Sequence, residues 1–385
     1  MLVLGDSTAL FGGHGFDAGL IKAGAAEFGL AGSGLFNATT SGGEGHASFV
    51  FTDQGFTKVS AADVTGPGMG YAWDTAAVAG SSNATRYTAR VDAGPLLDIK
   101  DAYTWNVYAA ANSADARTGA YRRLGGSPYT TLQTLSNQSI AGVQRVSFDF
   151  AAQPDATIAQ EFVLRNTRDT TVLYNRLQTQ ANEGITVTTW GYGGKSTLDF
   201  YNDKLLSMSD AGRSAFLDAT VDGGSGKLNI VLIQGFNDRN ETDASLGGTV
   251  DGDSPQAFAE NIAGSIDLLR DDWVRAGRSV DDLSFTLLGM YDIANGNDEL
   301  RDYAGVLESM AASDPQLSFV DFTDITPSYD DANALGYFAD GIHLSRTGSD
   351  VYSKALMDAI VAIPEPGSML VVSGIGLLLC RRRRA

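Results

Sequence analysis

The run Ile230-Val231-Leu232-Ile233 constrains the fold of this chain more than any other stretch. Unbroken aliphatic residues without polar alternation fit a strand covered on both faces, as in a parallel sheet flanked by helices. Lys227 to Gln234 is the predicted strand, and a well-marked helix follows it. Ser254 is placed to cap that helix, Pro255 suits its first turn, and Gly277 closes it. Phe258, Ile262, Leu269 and Trp273 form its apolar stripe. Gly184 to Trp190, Leu283 to Leu288 and Leu317 to Phe322 read as further strands, and a last helix carries Val351, Tyr352, Leu356 and Ile360. At the start of the chain, the apolar Met1 to Leu4 is followed by Phe16, Leu20, Ile21, Ala25 and Phe28 at helical spacing. Strands alternating with helices predict an α/β core with a parallel sheet.

Residues 32–181 follow a different pattern. Clusters of Gly, Ser, Thr, Asn and Asp separate short alternating runs, among them Tyr103-Trp105-Val107 and Val146-Phe148-Phe150. Ser48 to Thr52, Arg86 to Val91, Phe162 to Leu164 and Val172 to Leu173 are similar. Short strands with turn signals between them predict an all-β module, a sandwich or jelly roll, inserted into the α/β core. The expected division is residues 1–31 and 182–362 for the core, 32–181 for the module and 363–385 for a terminal segment. Carbohydrate binding, and a lid or structural decoration, are equally good readings of the module.

Chemistry gathers where strands end. Gly5-Asp6-Ser7 follows the first apolar run, placing a serine at a sheet's carboxyl edge before a helix. A glycine-rich break, Gly191-Tyr192-Gly193-Gly194, follows Trp190, and Gly235-Phe236-Asn237-Asp238 follows Ile233. Near the end stands Asp340-Gly341-Ile342-His343. Its spacing lets the carboxylate bond the imidazole Nδ1–H and leaves Nε2 free to take a proton from a serine.

These four blocks, in this order, resemble the SGNH (GDSL-type) hydrolase superfamily of esterases and lipases over residues 1–30 and about 182–362. The resemblance implies a three-layer α/β/α sandwich, with the β-sandwich-like insertion as a departure from it. It implies Ser7 as nucleophile, His343 as base and Asp340 as its orienting partner. The implied oxyanion hole combines the N–H groups of Ser7 and Gly194 with the Asn237 amide; no metal or organic cofactor is implied. Asp6 is read as ordering the nucleophile loop and Asp238 as organising its own turn. His14 is read as a solvent-facing loop residue. Tyr192, Phe236 and Arg239 flank the motifs, with core packing the plainer role for Phe236 and Trp190. The acidic residues Asp251 and Asp253 and the run Asn295 to Glu299 lack the spacing of a calcium loop and read as solvated turns.

A formal net charge of −19 argues against nucleic acid as a partner. One cysteine, Cys380, excludes an intrachain disulfide, and three histidines leave little for a zinc site. Pro364-Glu365-Pro366, the apolar run Met369 to Cys380 and Arg381 to Arg384 together resemble a PEP-CTERM sorting signal. The apolar run is shorter than the ~20 residues that span a bilayer comfortably. This resemblance implies export, a transient membrane anchor over residues 367–384 and processing by an exosortase-type enzyme. Export calls for a signal peptide, so Met1 is read as an internal methionine with the natural start upstream. The expected activity is hydrolysis of an ester, favourably an O-acetyl group on a polysaccharide. The alternatives are an O-acyltransferase acting on a glycan and a non-catalytic carbohydrate-binding protein of the surface or matrix.

Overall fold

The computed structural model describes residues 1–6, 9, 16–32, 34, 36–37, 49–54, 57–60, 76–80, 86–92, 100–111, 117–124, 130–136, 143–154, 159–168, 170–181, 184–191, 194–221, 226–238, 254–294, 297–326 and 328–362. At its centre is a parallel sheet in the order β13-β1-β14-β15-β16. These strands are β1 (Leu2–Gly5), β13 (Thr188–Gly191), β14 (Leu228–Ile233), β15 (Leu283–Gly289) and β16 (Leu317–Asp321). β1 lies between β13 and β14, with Leu2 opposite both Thr188 and Ile230. Leu2, Val3, Leu4, Ile230, Val231 and Ile233 are all fully buried, the outcome expected of unbroken aliphatic runs. Gly5 ends β1 because nothing larger fits: a Cβ there would stand 2.3 Å from the Ile233 carbonyl oxygen.

Helices cover the sheet. α1 (Phe16–Phe28) and α5 (Arg346–Ala362) pack on each other, as do α2 (Asp210–Val221), α3 (Pro255–Arg275) and α4 (Asn297–Ser313) in succession. The strand order reverses direction at β1, so right-handed crossovers put these two groups on opposite faces of the sheet. Ser254 caps α3, its hydroxyl accepting from the Ala257 N–H at 3.1 Å, and Pro255 occupies the first turn. Phe258, Ile262, Leu269 and Trp273 are buried, and the Gly277 N–H bonds back to the Val274 carbonyl. Two expectations need correction. Phe28 does not join the apolar stripe of α1; it ends the helix and is half exposed. β16 stops at Asp321 rather than Phe322, because the Asp321 carboxylate accepts the Thr323 N–H and starts a short 3-10 turn.

Between α1 and β13 the chain forms two antiparallel sheets. One has the order β10-β7-β12-β5-β4, with β2 added at β12; the other is β3-β6-β11-β8-β9. In chain order these are β2 (Phe36–Asn37), β3 (Phe49–Gln54), β4 (Thr57–Ser60), β5 (Ala76–Gly80), β6 (Arg86–Asp92), β7 (Tyr103–Ala111), β8 (Arg117–Leu124), β9 (Thr130–Ser136), β10 (Val143–Phe150), β11 (Ala159–Arg168) and β12 (Thr170–Thr179). Tyr103 and Phe150 meet Phe162 between the sheets, with ring centroids 5.8 and 4.4 Å apart. The two ends of the insertion are stitched together by backbone bonds: Ala31 N–H to the Ile185 carbonyl, and Thr179 N–H to the Ala31 carbonyl.

The sandwich has a second buried face. Cross-strand pairing places Asn106 and Tyr108 of β7 beside Arg176 and Tyr174 of β12, on the side away from Phe162. All four are buried. Arg176 donates to the Thr220 carbonyl at 2.7 Å and to Thr186 Oγ1 at 3.0 Å, and the Tyr108 hydroxyl donates to the Ala219 carbonyl at 3.4 Å. The two carbonyls lie in the last turn of α2, where they lack partners within the helix and where its dipole favours a cation. Tyr174 also packs edge-on against Trp190 and Phe216. Arg176→Met is expected to cost about 2–3 kcal/mol, the worth of charge-assisted bonds to buried acceptors, read as a lower midpoint in a urea titration. An unchanged midpoint contradicts the docking role.

Candidate active site

Three strand ends and one loop build the site. At the first, Asp6 is fully buried and its N–H donates to the Ile233 carbonyl at 3.1 Å. Its own carbonyl accepts the Ala9 N–H at 3.2 Å. Ser7 itself lies outside the described residues, as do His14, His46, Tyr192, Arg239, Asp251, Asp253, Asn295 and the segment 363–385.

The second strand end is the loop after β13. Gly194 has φ +71°, a left-handed conformation that suits glycine, and a Cβ there would meet nothing within 4 Å. Among the described residues, the space a side chain at Gly194 would enter is empty. Ser196 caps the short helix Thr197–Asp199, its hydroxyl accepting from the Asp199 N–H at 3.2 Å. That helix runs directly into a π-helical stretch, Phe200–Leu206.

The third strand end ties itself to the second. The Asn237 side-chain amide donates to the Lys195 carbonyl at 3.1 Å. An amide nitrogen carries two hydrogens, and this bond uses one of them to fix Asn237 against the residue after Gly194. Asp238 also reaches beyond its own turn. Its buried carboxylate reaches across to Thr197, accepting from the backbone N–H at 2.9 Å and from the hydroxyl at 2.5 Å. Asp238 and Asn237 thus clamp the Gly194 loop from one side. The adjacency of a carboxylate to the candidate oxyanion residue was the available sequence signal; its partner, 41 positions away, was not readable.

The loop before α5 holds the Asp340–His343 pair. Asp340 Oδ2 lies 2.8 Å from His343 Nδ1. Asp340 Oδ1 accepts from the N–H groups of both Ile342 and His343, each at 2.7 Å. One carboxylate shapes the turn and orients the ring. Partial burial pushes the Asp340 carboxyl up, but the imidazole bond and the two amide bonds outweigh it and bring the group down to about 2. An ionised acceptor at Nδ1 puts the proton on that nitrogen and makes Nε2 the acceptor nitrogen of the ring.

Tyr291, which sequence reasoning overlooked, lies beneath this loop. It is fully buried, its hydroxyl donates to the Ile342 carbonyl at 3.0 Å, and its ring lies 5.0 Å from that of Phe236. Burial, then the charge of Asp6, holds its hydroxyl well above the usual tyrosine range, so it remains a donor. The structure therefore brings Asp340 onto His343 and Asn237 onto the Gly194 loop, and it connects the two halves through Phe236 and Tyr291.

The fold is an SGNH-hydrolase-like α/β/α sandwich carrying an all-β insertion. In particular, the chain is similar to a solved peptidoglycan O-acetylesterase, with a TM-score of 0.61 at 15% identity over 93% of this chain and 89% of that one. A family two carbohydrate esterase from Cellvibrio japonicus aligns over 85% of this chain and 98% of its own at 9% identity, with a TM-score of 0.26, too distant in shape to guide the reading. No known family profile matches the sequence, and no curated protein does.

Proposed function

We propose that this chain is a serine esterase of the SGNH type that removes O-acetyl groups from a polysaccharide. The observation that carries the reading is the Asp340–His343 pair, whose bond at Nδ1 reserves Nε2 for a nucleophile. The fold shared with a peptidoglycan O-acetylesterase, insertion included, supports an acetylated glycan as substrate.

In the proposed cycle, Ser7 Oγ bonds to the acetyl carbon while its proton passes to His343 Nε2. The carbonyl oxygen, now negative, rests on the Ser7 N–H, the Gly194 N–H and the free hydrogen of the Asn237 amide. Collapse breaks the bond to the sugar oxygen, which takes the proton from His343 and leaves as the alcohol. Water then gives its proton to His343 and attacks the acetyl-serine, releasing acetate and restoring Ser7. We also infer export, with residues 367–384 serving as a transient membrane anchor processed by an exosortase-type enzyme.

Release of acetate from acetylated peptidoglycan or xylan, with labelling by a serine-directed phosphonate, is the expected result for the purified chain. A folded chain that neither releases acetate nor labels refutes the esterase reading and favours the binding alternative.

A further inference from the structure

The bonds that Asp340 makes to Ile342 and His343 all lie within one turn, so they shape the turn without fixing its place against the sheet. The anchorage comes from the segment just past β15. Tyr291 donates its hydroxyl to the Ile342 carbonyl, and the Ala294 N–H donates to the Gly341 carbonyl at 3.1 Å. Gly341 and Ile342 thus hang on residues 291–294 by two bonds, immediately before the histidine. The same tyrosine ring packs on Phe236, the residue immediately before Asn237. Phe338 and Tyr352 hold the ring from other sides, with centroids 5.5 and 5.1 Å away, and Phe322 stacks at 6.4 Å. A phenylalanine would fill that cluster. The hydroxyl adds a polar group that must be paired once buried, and the Ile342 carbonyl pairs it.

We propose that Tyr291 is a positioning residue that holds the base loop in register with the Asn237 loop; for catalysis this rests on the esterase reading above. It touches no reacting atom. It acts by fixing where His343 Nε2 stands relative to the oxyanion donors, a distance on which rate depends steeply.

The test compares Tyr291→Phe with Phe322→Leu in the full chain. The first deletes one oxygen and keeps the ring, so it is the gentler change for folding; the second disturbs the same cluster and leaves the hydroxyl–carbonyl bond. Two readouts are taken: the downfield proton resonance of the His343 Nδ1–H, and kcat against KM for an acetyl ester. Tyr291→Phe is expected to broaden or shift that resonance and to lower kcat on the order of ten- to a hundredfold with KM unchanged. Phe322→Leu is expected to keep both. A Tyr291→Phe protein with wild-type resonance, or equal losses in the two variants, overturns the proposal. The resonance is read without turnover, so a wild type inert toward esters defeats the esterase reading while the positioning of His343 is still decided.

Discussion

In the full chain, Ser7→Ala is expected to lower kcat/KM for an acetyl ester by about four to six orders of magnitude, and to abolish covalent labelling. The argument rests on the residues that fix this strand end. Gly5 cannot carry a side chain beside Ile233, and Asp6 is bonded through its N–H to the Ile233 carbonyl. Asp6 therefore stands at the carboxyl end of a central parallel strand, whose neighbours β13 and β14 run into the Gly194 and Asn237 loops. With the hydroxyl gone, His343 has no proton to take, and the oxyanion donors alone supply the residual rate. Steady-state kinetics and labelling on one preparation read the effect. Activity retained by a folded Ser7→Ala protein removes Ser7 from the mechanism.

Asp340→Asn has the second largest expected effect, a loss in kcat of about three to four orders of magnitude. The amide keeps an oxygen that can accept from the Ile342 and His343 N–H groups, so the turn survives. It replaces the ionised acceptor that fixed the proton on Nδ1, and the ring loses its catalytic tautomer. Stability carries a second signature. The folded-state pKa of Asp340 is depressed, so its contribution is fully present above the unfolded carboxyl value near 3.8 and is lost as pH falls through about 2. Asp340→Asn should flatten that part of the acid-unfolding curve and lower stability at neutral pH by the same amount. Half-exposure of the carboxylate keeps this contribution small. Wild-type turnover in the Asp340→Asn protein contradicts the orienting role.

The core was legible because its signals are local. Ile230 to Ile233, the cap at Ser254 and the stripe from Phe258 to Trp273 each state their environment within a few residues. Several module strands were readable for the same reason: Trp105 and Phe148 alternate with polar neighbours. β8 and β9 were not, since runs such as Arg117-Thr118-Gly119 and Thr130-Thr131-Leu132-Gln133 alternate weakly. The Asp340–His343 pair was legible because both partners lie in one turn. Arg176 on α2, Asp238 on Thr197 and Tyr291 under Ile342 were not, because each joins residues 41 or more apart in sequence and leaves no periodic trace. Arg176 in particular reads as an ordinary polar strand residue until the face it occupies is known to be covered.

Arg176, Tyr108 and Tyr174 tie the fate of the two bodies together. At these residues the sheet closes on its partner sheet on one side and on a helix of the core on the other. Excising the segment between Ala31 and Thr179 would strip the cover from Phe216 and Trp190 and leave an adhesive aromatic patch on the core. The insertion is therefore no detachable appendage. A ligand gripping either body stabilises both, and heat must undo them in a single step.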